Sequence, residues 1–150
     1  MSAHDDVEVR PRKVRKVVIP VAIVLVVVFA LAGTLLRNTP TGAFFRVSDQ
    51  ISMGVLGLLL ACGVLLLARP RLRADAEGIE VRNIIGTHRY PWSLVEAVSF
   101  PDGAPWARLE LPEDEYVPIM AIQATDGDHA VLAMRRLREV RRHAEHPENS

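Results

Sequence analysis

The sequence predicts an α+β protein: a two-helix transmembrane hairpin, followed by a small antiparallel β-sheet or barrel that a C-terminal amphipathic helix closes. Three observations predict it. Two uncharged apolar runs, Val17 to Leu36 and Ile51 to Ala68, are separated only by the short segment RNTPTGAFFRVSDQ. Beyond Arg69 the pattern changes to short β-branched or alternating stretches punctuated by Gly, Pro and acidic turns. After Asp126, apolar residues recur at helical spacing to the end of the domain.

The first apolar run, at 1.5 Å per helical residue, reaches about 30 Å, the thickness of a bilayer core. The second is shorter, at the lower edge of the spanning range, and contains no charge, Asn, Gln or Pro. Together they define a hairpin over residues 17–68. Residues 1–9 are polar, include Asp5, Asp6 and Glu8, and lack apolar periodicity; Arg10, Arg12, Lys13, Arg15 and Lys16 follow. Residues 1–16 therefore read as a flexible basic tail. Counting Arg69, Arg71 and Arg73 behind the second run, eight basic residues flank the hairpin on its terminal side, against Arg37 and Arg46 in its loop. The positive-inside bias then predicts a multi-pass protein of the cell membrane with both termini cytoplasmic. A cleaved secretory signal is the rival, since Ala30-Leu31-Ala32 resembles a small-residue cleavage site, but the uncharged run continues past it. Gly54, Gly57 and Ala61 form a small-residue stripe, suited to packing on the first helix near Ala30 and Thr34 or, alternatively, to a homo-oligomer.

Residues 69–142 hold the water-soluble core. Arg71 to Asp75 predicts a first strand, Ile79 to Ile85 a second, and His88 to Trp92 a third in which Pro91 demands an edge or an end. Ser93-Leu94-Val95-Glu96 has capping-box spacing and predicts a helical turn before a strand at Val98 to Phe100. Trp106 to Leu111 alternates, with Trp106, Ala107, Leu109 and Leu111 set against Arg108 and Glu110, and Tyr116 to Ile122 predicts the last strand. Asp126 or Asp128 is expected to cap the closing helix, whose apolar face is Ala130, Val131, Met134, Leu137 and Val140. Residues 143–150 read as a disordered tail.

Composition excludes several classes. A formal net charge of zero argues against a nucleic-acid binder. Cys62 is the single cysteine, so there is neither a disulfide framework nor a thiol cluster for zinc, and no cofactor or metal is expected. His143 and His146 stand three apart, at a spacing that can share a metal on a helix, but no third ligand accompanies them. His88 and His129 have no catalytic partner in the sequence. Ser93 lacks a nucleophile elbow and reads as a cap. Trp92 and Trp106 read as core or rim packing, with a binding role open for whichever is exposed. Glu113-Asp114-Glu115 crowds into a turn without a partner His, Cys or metal motif, so no enzyme is expected.

The stretch from Ala74 through Glu77-Gly78 to Asn83, then Gly86, then Pro91-Trp92-Ser93-Leu94-Val95-Glu96-Ala97-Val98, resembles the bacterial pleckstrin-homology-like domain of small actinobacterial membrane proteins. That group includes low molecular weight protein antigen 6, and Trp106-Ala107-Arg108 is also similar. The resemblance covers about residues 69–123 and the preceding helices, and implies a membrane-tethered, non-enzymatic module. Eukaryotic relatives place phosphoinositide-binding basic residues in the first hairpin loop. Here that loop is expected at Asp75-Ala76-Glu77-Gly78, whose carboxylates would repel a phosphate.

The expected function is a membrane-anchored interaction module presenting its cytoplasmic domain to a protein or peptide partner; the alternative is a sensor of anionic lipid head groups at the inner leaflet. Candidate membrane-surface or partner contacts are Arg69, Arg71 and Arg73 at the lipid flank and Arg135, Arg138 and Arg142 on the closing helix.

Overall fold

The computed structural model describes residues 6–40 and 44–146; positions 1–5 and 147–150 of the expected terminal tails, and 41–43 of the hairpin loop, lie outside them. The chain forms two units. One spans Val14–Ala68, and the other joins the residues up to Lys13 to those from Arg69 onward.

The first unit holds two helices, α1 (Arg12–Asn38, which begins in the other unit) and α2 (Val47–Leu66). Both are long and apolar enough to cross a membrane. α2 begins four residues ahead of the apolar run because the Asp49 carboxylate accepts the Arg46 backbone N–H at 2.8 Å, a local cap that hydropathy does not register. Pro20 lies inside α1, where its missing N–H leaves one carbonyl near the polar end of the helix without its usual donor. Of the small-residue stripe, Ala61 is buried and Gly57 meets Phe29, whose Cβ would lie 2.6 Å from a Cβ added there. Gly54 faces open space. The contact expected near Ala30 and Thr34 falls on the residues just before each: Phe29 meets Gly57 and Gly33 packs against Gln50 and Met53, while Ala30 and Thr34 themselves are exposed.

The second unit contains two antiparallel sheets. β1 (Val7–Val9), β2 (Arg71–Ala74), β3 (Gly78–Arg82) and β4 (Thr87–Pro91) lie side by side in that order; β5 (Ala97–Ser99), β6 (Trp106–Glu110) and β7 (Tyr116–Gln123) form the second sheet. The barrel is not closed. Pro91 ends β4, and a 3-10 turn at Trp92–Leu94 carries the chain to the other sheet before the ladder can continue. That turn has no side-chain cap, so the capping role expected for Ser93 is not used. Gly78 is obligatory at its position, since a Cβ there would collide with the Tyr90 carbonyl on the neighbouring strand.

The core between the sheets and α3 (Asp128–Glu145) is built on Leu72, Ile79, Leu109, Ile119, Ile122 and Leu137, each fully enclosed. On α3 the buried face is Ala130, Ala133, Met134, Leu137 and Val140; Val131, expected inside, is half exposed. On β6, Ala107 and Leu109 point inward, and strand alternation puts Trp106, expected with them, on the other face beside Arg108 and Glu110. Trp92 is buried, and its indole N–H donates to the Asp75 carbonyl at 2.8 Å.

The largest departure from the sequence reading is at the N-terminus. Residues 7–9, expected within a flexible tail, form the strand β1, with Val7 opposite Ala74, Glu8 opposite Arg73 and Val9 opposite Leu72. Val9 and Pro11 are buried. Three residues are too few to display a period, and their partner strand lies beyond the whole hairpin. The first connection of the sheet is therefore the segment carrying α1 and α2, and the acidic Asp75–Gly78 turn is the second.

The expected cap of α3 is also corrected. Asp126 is buried and accepts the backbone N–H groups of Arg12 at 3.2 Å and Lys13 at 3.0 Å, the first two residues of α1. The first turn of any α-helix carries unpaired donors and the positive end of the dipole, and here a carboxylate from a distant segment satisfies them. α3 itself starts after Gly127, at φ +54°, without a side-chain cap.

Candidate partner-binding groove

α3 meets the ends of β5 and β7 at an open groove of about 540 Å³. Its floor is apolar, with Ala130 and Met134 from the buried face of α3, Val131 beside them and Phe100 just past β5. Arg135 and Arg138 border it on the helix, and Asp128 stands at its end. These residues come from three segments: Phe100 from the turn after β5, Ala124 and Gly127 from the turn after β7, and the rest from the first turns of α3. Met134 and Ala130 were legible as an apolar helix face. Phe100 carried no signal, because only folding brings it to the helix.

The six candidate arginines separate into two groups. Arg135, Arg138 and Arg142 occupy one face of α3 at spacings of three and four, are exposed, and form no ion pair among the described residues. The neighbouring Arg141 is instead structural: it donates to the carbonyls of Val95 and Glu96 and pairs with Glu145, tying α3 to the segment before β5. At the other site, Arg71 and Arg73 both pair with Glu8 of β1, and Arg69 donates to the Ile84 carbonyl at 3.0 Å. Arg71 and Arg73 are thus engaged by a carboxylate that a tail assignment had hidden.

Two carboxylates in this domain titrate below their ordinary range. Glu8 is lowered chiefly by the hydrogen bond from the Arg71 guanidinium, against a smaller opposing effect of burial, and Arg10 adds to the lowering. Burial alone would raise Asp75, but the Arg89 guanidinium, 2.8 Å from both its oxygens, and the amides of Gly78 and Glu77 outweigh it. In both, the folded state binds its proton less readily than the unfolded chain does. Their stabilisation is complete above the unfolded values, near 4.5 for Glu8 and 3.8 for Asp75, and is lost as the pH falls through the lower folded values. The melting temperature of the domain should hold from neutrality to about pH 5 and then decline. Glu8→Gln should flatten part of that decline in thermal melts taken across the acid range.

The remaining polar candidates do not converge. His88 lies exposed on β4, tilted against Tyr90, and His129 Nε2 is enclosed without a hydrogen-bond partner among the described residues. His143 and His146 have no third ligand, and no cluster of three or more His, Cys, Asp or Glu occurs among the described residues. Glu113 and Asp114 adopt positive φ in the β6–β7 turn.

Comparison with known proteins agrees with this architecture. The bacterial PH domain family matches residues 69–140. Uncharacterized protein Rv1417 of Mycobacterium tuberculosis (strain ATCC 25618 / H37Rv) is 46% identical over 135 residues, which cover 90% of this chain and 88% of the relative. Uncharacterized protein Mb1452 of Mycobacterium bovis (strain ATCC BAA-935 / AF2122/97) matches with the same identity and coverage. No solved structure matches the chain. The two sheets and the sealing helix give that family match its three-dimensional counterpart, and the chain belongs to the bacterial PH domain family.

Proposed function

We propose that this protein is a membrane-anchored PH module that offers the groove beside α3 to an acidic, apolar-tipped segment of a partner protein at the cytoplasmic face of the cell membrane. The observation that carries it is the pairing of an apolar floor, Phe100, Val131 and Met134, with Arg135 and Arg138 on the border, both free of ion pairs among the described residues. Apolar burial supplies affinity and the two guanidiniums select charge. Family membership favours binding over catalysis, since PH domains are generally non-catalytic interaction modules. Anchoring to a surface raises the effective concentration of a partner in the same membrane, so a small groove suffices.

The anchor is the α1–α2 pair, in which Val24, Leu35 and Leu59 are among many large apolar side chains left exposed, as a lipid environment requires. Because β1 precedes α1 and pairs with β2 after α2, the chain must return to the side from which it left, which supports an even number of crossings. The excess of basic residues at that end favours the cytoplasm. Selective head-group sensing by Arg69, Arg71 and Arg73 is disfavoured, since Glu8 and the Ile84 carbonyl already engage them.

The test places a photo-crosslinking amino acid at Val131 of the full chain in native membranes. A protein adduct at Val131 that disappears in Arg135→Glu/Arg138→Glu, and maps to an acidic segment of the partner, supports the reading. An adduct indifferent to that charge reversal, or the absence of one, overturns it, and a lipid adduct favours the head-group sensor. For orientation, Phe44→Cys in a Cys62→Ser background should react with an impermeant thiol reagent in intact cells, and Ala76→Cys should not; the reverse pattern would invert the topology.

A further inference from the structure

The antiparallel register collects three features at one end of the first sheet. β1 runs toward that end and leaves it through Arg10 and Pro11, β2 starts there at Arg71, and β3 finishes there opposite it, with Arg71 paired to Arg82. The β3–β4 connection, Asn83–Gly86, is therefore at the same end as both chain connections to the apolar helices. Four residues separate Leu66, the last of α2, from Arg71, so the five steps between them reach at most about 17 Å. The three steps from Arg82 to Ile85 reach at most about 10 Å. The bond from Arg69 to the Ile84 carbonyl joins the connector directly to the hairpin tip.

At that tip Ile85 is 92% exposed, which no contact within the domain explains. The loop that displays it is held firmly. Asn83 N–H donates to the Gly86 carbonyl at 2.8 Å, the Asn83 side-chain amide donates to the Pro118 carbonyl at 2.8 Å, and its oxygen accepts from Met120 N–H at 3.3 Å. From Arg82 to Arg89 the hairpin carries no carboxylate, so it meets an anionic surface without repulsion. A rigid turn holding one isoleucine in the open, at the end of the sheet tied to a membrane helix, is suited to an interfacial position.

We propose that the Asn83–Gly86 tip is a lipid-contacting foot, with Ile85 seated at the boundary between head groups and acyl chains of the leaflet from which the chain emerges. The foot would act with the two chain connections to limit rotation of the domain on the membrane and so hold the α3 groove at a constant presentation. This inference rests on the membrane anchoring proposed above but not on the identity of the groove's partner.

The test uses the full chain with Cys62→Ser, reconstituted in vesicles of phosphatidylcholine and phosphatidylglycerol containing a shallow spin-labelled lipid for positions 76 and 87, or one labelled deep in its acyl chain for position 26. A fluorophore is placed in turn at Thr87→Cys beside the tip, at Ala76→Cys in the turn at the opposite end of the sheet, and at Val26→Cys within α1. Quenching at 26 and at 87 but not at 76, with that at 87 falling to the level of 76 in Ile85→Asp, is the expected result. Quenching at 26 with 87 no stronger than 76, or with 87 unchanged by Ile85→Asp, overturns the foot and leaves the anchor standing. Absence of quenching at 26 overturns the anchor and the foot together.

Discussion

Leu137→Asp should unfold the soluble domain while leaving α1 and α2 helical. Leu137 is fully enclosed on the face of α3 that seals the two sheets. A carboxylate there would have no hydrogen-bond partner and would displace an aliphatic side chain, costing several kcal/mol. A small domain has only about 5–15 kcal/mol in total. In detergent-solubilised protein the emission of the buried Trp92 should shift to the red and the cooperative melt should vanish, with most helical circular dichroism retained. Val131→Asp is the matched control. Val131 shares the helix and the apolar character of Leu137 but is half exposed, so its substitution should leave the melt in place. Equal damage by the two variants would mean that α3 packs with a different face.

Removal of β1 should be the second severe perturbation, because it acts on residues far from the domain in sequence. Val9 is buried in the core cluster, and its loss alone should cost about 2 kcal/mol. Val9→Asp should cost more, by enclosing a charge. Deletion of residues 6–11 would also strip Glu8 from Arg71 and Arg73 and bare the edge of β2. A chain in which residues 14–68 are replaced by a short Gly-Ser linker should fold as a soluble domain, since Val9 and Leu72 are already neighbours across the ladder. Residues 69–150 alone should melt well below it or aggregate. Indistinguishable melts for the two would show that the first strand contributes nothing.

These two predictions mark how far the chain could be read without its fold. The strands at Gly78–Arg82, Trp106–Glu110 and Tyr116–Gln123 and the helix from Asp128 were each legible to within a few residues, because each is long enough to express its period or its β-branched composition. The apolar helices were legible for a stronger reason. Length and the lack of charge are read residue by residue, and both helices are long and apolar enough to cross a membrane. Arg135 and Arg138 were legible as exposed cations, since both fall on the polar side of the helix, away from Met134, Leu137 and Val140.

The sequence by itself thus determined the two apolar helices, the order of the principal strands and the closing helix, all of which follow from local composition and spacing, while the domain class came from its resemblance to a known family. Only the tertiary structure decided that Val7–Val9 is a strand, that Glu8 holds Arg71 and Arg73, that Asp126 serves the first turn of α1 instead of α3, and that Phe100 completes the groove. The reason is common to all four. Each depends on a partner many residues away, and a three-residue strand, a single carboxylate or a lone aromatic has no periodicity from which such a partner can be inferred. Its role is set by what folding brings within hydrogen-bond or van der Waals reach.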